Sequence, residues 1–244
     1  MFRLVGSLVV FALAMSIIAI PQAASATGLH GKGPSHRGVT AHRSRPSPKV
    51  VCCSDGSGGT NYNGNYAATY ADAYWQNYNT WDYRSFSDDC TNFVSQSLRN
   101  GGLRMTNTPD GSPENTGLDN YWYMYSYPYQ GWAWSDSWSV SGDLWQYLYN
   151  TGLGSRFYTW SGAAYTSNHS GVYTGDVLFY AWYAGNGDPS INHAAIQVND
   201  DYDERGNWTS VVDEHTSNRY HVNWTLWTNN QNRNTTSIYA IHIW

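Results

Sequence analysis

Residues 85–103 read SFSDDCTNFVSQSLRNGGL, with Cys90, Phe93, Val94, Ser97 and Leu98 at i, i+3, i+4, i+7 and i+8. This spacing predicts one buried face of an amphipathic helix. Ser87 or Asp88 is a natural N-cap and Gly101 a natural stop, so Cys90 falls in the first helical turn. Upstream, Tyr66, Tyr70, Ala71, Tyr74 and Tyr78 recur at three and four residues, which predicts an aromatic-faced helix over 65–78, followed by a turn at 79–84. Downstream, residues 105–140 are rich in Pro, Gly, Asn, Tyr and Trp without a sustained period and read as a long structured loop. A short helix is expected over 143–149, ended by Gly152. The preference then changes: DVLFYAW (176–182), HAAIQV (193–198), TSVVDEH (209–215) and SIYAIHI (237–243) are short β-branched or aromatic runs between Gly, Asn and Asp clusters. Helices followed by strands predict an α+β domain with an antiparallel sheet.

Composition constrains what can fill that domain. Of 244 residues only 13% are charged and 16% are aromatic, including 13 Trp and 21 Tyr, whereas Leu, Ile, Val and Phe number 40. An ordinary soluble protein carries about 25% charged residues. Each Trp or Tyr buries roughly 150–250 Å², so these rings supply the core that the aliphatics do not. A coiled coil, a collagen-like chain and an acidic disordered tail are excluded.

Charge divides the chain. Residues 27–54 carry Lys32, Arg37, Arg43, Arg45 and Lys49 and no acid, while residues 55–244 hold all 18 acids, seven Arg and no Lys, a net charge of -11. Every Tyr and Trp lies at or after Tyr62. Ahead of the basic segment, Arg3, the apolar run Leu4–Ile20 and Ala24-Ser25-Ala26 are the parts of a secretory signal peptide cleaved after Ala26. The expected organisation is a signal peptide over 1–26, a basic linker or pro-segment over 27–54 and a domain over 55–244, secreted or cell-wall associated. No stable membrane insertion is expected after cleavage. Cys52 and Cys53 are adjacent, which rarely suits a mutual disulfide, so they are free, paired between chains or removed with a pro-segment. Nucleic acid is not an expected partner, because the -11 domain repels phosphate.

Cys90 is the domain's lone cysteine. At a helix N-terminus the backbone N–H groups and the dipole favour a thiolate, and the Cys90 N–H can serve an oxyanion. The spacing alone equally suits a small buried core residue. A thiolate nucleophile needs a base, and His169, His193, His215, His221 and His242 are candidates. His193 opens one strand and His215 closes the next, so both can project from one end of a sheet. His169 reads as exposed and His242 as structural. No HxxxH, HxH or His/Asp cluster with ligand spacing is present, so neither a metal nor a cofactor is expected.

The Tyr-rich helix, DDCTNFVSQSLRNGGL, GDVLFYAW, INHAAIQV and the V-V-x-x-H-T element at 211–216, taken together in this order, resemble the amidase domains of the papain-like cysteine peptidase superfamily, relatives of NlpC-type and CHAP cell-wall amidases. The resemblance runs from Tyr62 to Ile243. It implies a papain-like, NlpC-like α+β fold with N-terminal helices packed on a C-terminal antiparallel sheet. It also implies a cysteine hydrolase with Cys90 as nucleophile and His193 as base. His215 is the preferred third residue, with Glu214, Asp213 and Asn223 as alternatives. Asp89 is expected to help cap the helix and Tyr83 to contribute to the oxyanion hole. The expected partner is a peptide or peptidoglycan substrate, and the protein is expected to be a monomer. The rival reading is a non-catalytic carbohydrate- or wall-binding module, suggested by the Trp and Tyr content and the low charge; in the enzyme reading the nine Trp and Tyr within residues 121–138 can stack on sugar rings or substrate side chains. Those rings otherwise fill the core.

Overall fold

The computed structural model describes residues 61–106, 120–161, 164–187 and 189–244, with residues 157–159 and 161 described by backbone alone. The signal peptide and basic segment expected over 1–54, with Cys52 and Cys53, lie outside the described residues.

Helix α1 (Gly64–Tyr74) starts at Asn63, whose side chain accepts hydrogen bonds from the Asn65 and Tyr66 N–H groups. Its first turn lies so close to the 173–176 turn that a Cβ on Gly64 would sit 1.9 Å from the Thr174 carbonyl oxygen. Gly175, at φ +92°, meets Gly64 from the other side, and only glycine fits either position. The helix ends four residues before the predicted Tyr78, which leaves the helical face and packs against His215 at 4.4 Å between ring centroids.

Helix α2 (Cys90–Asn100) forms as predicted, and residues 90–98 are buried on every side. Its polar residues are therefore partnered, as burial demands. Gln96 accepts from the Tyr70 hydroxyl (2.7 Å), Ser95 donates to the Trp138 carbonyl (2.9 Å), and Ser97 donates to the Phe93 carbonyl (2.9 Å).

The described part of 105–140 is more ordered than its composition predicted. It holds the hairpin β1 (Met124–Tyr127) and β2 (Gly131–Trp134), then the single-turn helix α3 (Asp136–Ser139). Trp122, Tyr123 and Trp138 are fully buried, whereas Tyr129 at the hairpin tip is fully exposed. Most rings of this stretch thus build structure, as low aliphatic content requires. Helix α4 (Ser141–Asn150) encloses the predicted 143–149.

The C-terminal half is one antiparallel sheet of six strands in the order β3-β8-β4-β5-β6-β7. The expected strands appear as β4 (Val177–Ala181), β5 (His193–Tyr202), β6 (Trp208–Glu214) and β8 (Ser237–Ile243). Two edge strands, β3 (Gly154–Ser161) and β7 (Arg219–Asn223), were not anticipated. Val177, Phe179, Ala194, Ile196 and Ile241 join the helices in one core, while Leu178, Tyr180, Ala195, Val212 and Ala240 form a second core on the opposite face. This is period-two alternation with both faces covered, and it explains why β4 reads as an unbroken apolar run. The architecture is α+β, with helices packed on an antiparallel sheet, as expected.

Candidate active site

The N-terminus of α2 points Cys90 at the sheet end where β5 begins and β6 stops. Four hydrogen bonds of the preceding Asp89 fix this helix start. The Asp89 N–H donates to the Thr216 hydroxyl (3.0 Å), just beyond β6. The Asp89 carboxylate accepts from the Phe86 N–H and the Asn92 amide, both at 2.8 Å. Its other oxygen pairs with His215 Nδ1 at 2.7 Å. The side-chain cap expected of Asp89 is not made; its carboxylate and its backbone N–H instead fasten the helix start to the β6–β7 turn.

His215 is correspondingly placed away from His193. Its Nε2 donates to the Tyr74 carbonyl at 2.8 Å, and its ring stacks on Phe93 with centroids 4.0 Å apart. Both nitrogens and one face are committed to α1 and α2. The residue beside His193 is Glu214, whose carboxylate hydrogen-bonds His193 Nε2 and whose second oxygen accepts from Arg219. The residue that meets His193 is thus Glu214, one of the stated alternatives, and not the preferred His215. Side chains alternate along a strand, so neighbours at the end of β6 point to opposite sides, and the sequence order did not say which side His193 occupies. Of the remaining alternatives, Asn223 bonds Asp203 and the Thr166 carbonyl, and Asp213 accepts from the His221 N–H.

With Nε2 engaged by Glu214, the other imidazole nitrogen is left for Cys90, and thiol and imidazole are coupled by charge and a hydrogen bond. Burial by itself raises a thiol pKa. Against it act the His193 charge and hydrogen bond, the Ala194 backbone N–H and the Thr91 hydroxyl, and together they bring Cys90 below its ordinary 9.0. Burial equally disfavours a charged His193, yet Glu214 and Cys90 outweigh it and raise the imidazole to about 10. Burial would raise Glu214, but His193 and Arg219 hold it below 4.5. Each of these shifts favours the charged form of its group: thiolate at Cys90, imidazolium at His193 and carboxylate at Glu214.

A cleft of about 380 Å³ opens on this pair, lined among others by Asp88, Trp182, Asn192, Thr216 and Arg219. Cys90 is 7% exposed and His193 8%, so a small part of each reaches the cleft. Trp182 lies nearly parallel to the imidazole, 5.2 Å between centroids and 25° between planes. It shields the ring from water, a role that sequence reasoning missed although Trp182 ends the DVLFYAW run. A larger cleft of about 490 Å³, beside Trp145 and Arg156, has neither cysteine nor histidine in its lining.

Tyr83, expected at the oxyanion hole, packs on Trp138 at 5.7 Å between centroids and interacts with Arg99 and Asn100. Those partners stand at the far end of α2, roughly 15 Å from Cys90 at 1.5 Å per residue. Burial pushes the Tyr83 hydroxyl up to about 12, as expected of a core phenol. His169 is half exposed beside Asp200, and His242 is paired with Asp176 in β8, both as read from sequence.

A relative from Bacillus subtilis (strain 168), the uncharacterized protein YhbB, is 34% identical over 132 residues, which is 54% of this chain and 35% of the relative. The chain thus spans about a third of that relative's length. No solved structure matches the chain. Residues 61–239 match the family model described as "Putative amidase domain", a range that holds Cys90, His193, Glu214 and Arg219 together. This match covers well over half of the sequence, and the chain belongs to that amidase-domain family.

Proposed function

We propose that the protein is a secreted, papain-like cysteine amidase that hydrolyses amide bonds of cell-wall peptidoglycan peptides. The observation that carries the reading is the chain of contacts Arg219–Glu214–His193–Cys90 at the mouth of a cleft, with the thiol lowered and the imidazole raised. The papain-like placement is supported by a cysteine at the start of a buried helix facing an antiparallel sheet that supplies first the histidine and then the carboxylate. Secretion is supported by the leader over 1–26 and the basic segment behind it. The low-charge, acidic domain acts on peptide rather than on nucleic acid.

In this mechanism the Cys90 thiolate attacks the amide carbonyl carbon. The carbonyl oxygen becomes an oxyanion held by N–H groups at the α2 N-terminus, which have no partner within the helix. The His193 imidazolium gives its proton to the amide nitrogen as the C–N bond breaks, and the amine leaves a thioester on Cys90. His193 then takes a proton from water, whose oxygen attacks the thioester and releases the acid and the thiolate. Glu214 holds the imidazole in the required orientation and stabilises its charge.

Incubating the purified chain with peptidoglycan and with short amide substrates tests the reading by mass spectrometry of the released fragments. Cleavage that disappears in Cys90→Ala, with circular dichroism unchanged, is expected. Cleavage retained in Cys90→Ala would exclude the cysteine mechanism, and unaltered wall binding without cleavage by either form would favour the non-catalytic wall-binding module.

A further inference from the structure

At the β7 edge of the sheet, α1, β6 and β7 bring Asp72, Asp213 and His221 together, one ligand atom from each lying within 4.8 Å of the others. Asp213 is fully buried. One of its oxygens accepts from the His221 N–H at 2.8 Å, while Oδ2 is buried without a hydrogen-bond partner. A buried carboxylate oxygen left in this state costs free energy that a native fold normally recovers. Asp213 also faces the Asp72 carboxylate, with which it interacts by charge and by a hydrogen bond, so two carboxylates meet beside His221.

His221 has the organisation of a ligand. Its Nε2 faces Asp72 at 3.1 Å, and its Nδ1 bonds Asp201 at 2.9 Å. A carboxylate on the far nitrogen fixes the tautomer and directs the other nitrogen's lone pair outward, as in carboxylate–histidine–metal arrangements. The backbone is committed as well. His221 sits at φ +49°, where a non-glycine side chain rarely settles, and the β6–β7 pairing shifts register between Val212 and Glu214. Together these turn the His221 N–H onto Asp213. Asp72 and Asp201 meet the imidazole nitrogens and Asp213 accepts from the backbone N–H, so three carboxylates converge on one histidine.

We propose that Asp72, Asp213 and His221 bind a divalent cation of the zinc class, with Asp201 orienting His221. One nitrogen and two carboxylate oxygens suit Zn²⁺, whereas Ca²⁺ takes six or more oxygens. Asp72 is exposed and free to adjust its rotamer, so ligand distances of about 2.0–2.2 Å are within reach. The ion would cross-link α1 to β6 and β7, and it takes no part in the proposed cleavage at Cys90. The sequence offered no such motif, because the ligands lie 141 and eight residues apart along the chain.

The test uses the full chain carrying Cys52→Ala, Cys53→Ala and Cys90→Ala, which removes thiolates that would bind Zn²⁺ themselves. Isothermal titration should give a Zn²⁺ site of unit stoichiometry that is lost in Asp72→Ala and in His221→Gln. Asp201→Asn should weaken it roughly 10- to 100-fold. At a hundredfold excess over Kd, Zn²⁺ should raise Tm by about 5–10 °C, and Ca²⁺ should change it little. Asp72 is exposed, so its variant remains folded and interpretable even if Asp213→Asn does not. Zn²⁺ affinity and Tm unaffected by Asp72→Ala, or equal stabilisation by Ca²⁺, would overturn the proposal.

Discussion

Glu214 and His215 are neighbours in sequence, and each belongs to a buried histidine–carboxylate pair, yet the two pairs do different work. In His193–Glu214 the imidazole keeps one nitrogen for Cys90 and the carboxylate has a second partner in Arg219. In His215–Asp89 both imidazole nitrogens face oxygens of the surrounding protein, and Phe93 and Tyr78 pack on the ring. The first pair can take up and release a proton at the thiol. The second has no free valence and serves to hold the start of α2 against the β6–β7 turn. A buried histidine beside an acid is therefore assigned by what its remaining nitrogen meets, not by its residue type.

The largest effect is expected where the first pair meets the thiol. Cys90→Ala should lower amide turnover by at least about 10⁴-fold while leaving Tm nearly unchanged, as measured by product release and thermal unfolding. Glu214→Gln keeps the shape but removes the charge behind His193, and kcat should fall roughly 10²- to 10⁴-fold. The Cys90 pKa in that variant should rise, which thiol alkylation across pH reads directly. For the second pair the signature reverses. His215→Ala leaves one oxygen of the buried Asp89 carboxylate without its histidine, and should cost about 3 kcal/mol of stability, seen as a Tm loss on the order of 10 °C. Activity in the cold should be reduced far less than by Glu214→Gln. Equal losses of kcat in both variants would erase the distinction. Arg219, partly exposed, should matter least: Arg219→Gln should lower kcat roughly tenfold.

The same contrast shapes the pH dependence of stability. The folded pKa of His193, about 10, exceeds the unfolded 6.5, so its stabilisation is complete below pH 6.5 and is lost as pH rises through about 10. Glu214 lies below its unfolded 4.5, so its contribution is present above pH 4.5 and lost as pH falls below it. Urea midpoints should accordingly hold between about pH 5 and 6.5, fall progressively from there to about pH 10, and fall again below about pH 4.5. In His193→Ala the alkaline fall should be diminished.

The periodicity of 85–103 located α2 and put Cys90 in its first turn because a buried helix face repeats locally in sequence. The order of GDV, the His193 strand and the β6 run located the central sheet for the same reason. Which neighbour at the end of β6 faces His193 was not legible, since the face depends on strand register and on the register shift after Val212. The hairpin over 124–134 was missed although Tyr125 and Tyr127, and Trp132 and Trp134, recur at every second position: all four rings are only partly buried, and Pro128 and Gly131 interrupt the run. The edge strands β3 and β7 are short or mixed in polarity, and their pairing comes from neighbours distant in the chain. The Asp72–Asp213–His221 cluster is assembled from three elements and leaves no local spacing to read.

The central claim is that His193, backed by Glu214, holds Cys90 as a thiolate near neutral pH. Its most direct test is the rate of Cys90 carbamidomethylation by iodoacetamide from pH 5 to 10, followed by peptide mass spectrometry in the wild type and in His193→Ala. Rapid modification already at pH 6–7, lost in His193→Ala, is the predicted result; a Cys90 that stays inert until about pH 9 in the wild type would contradict the account.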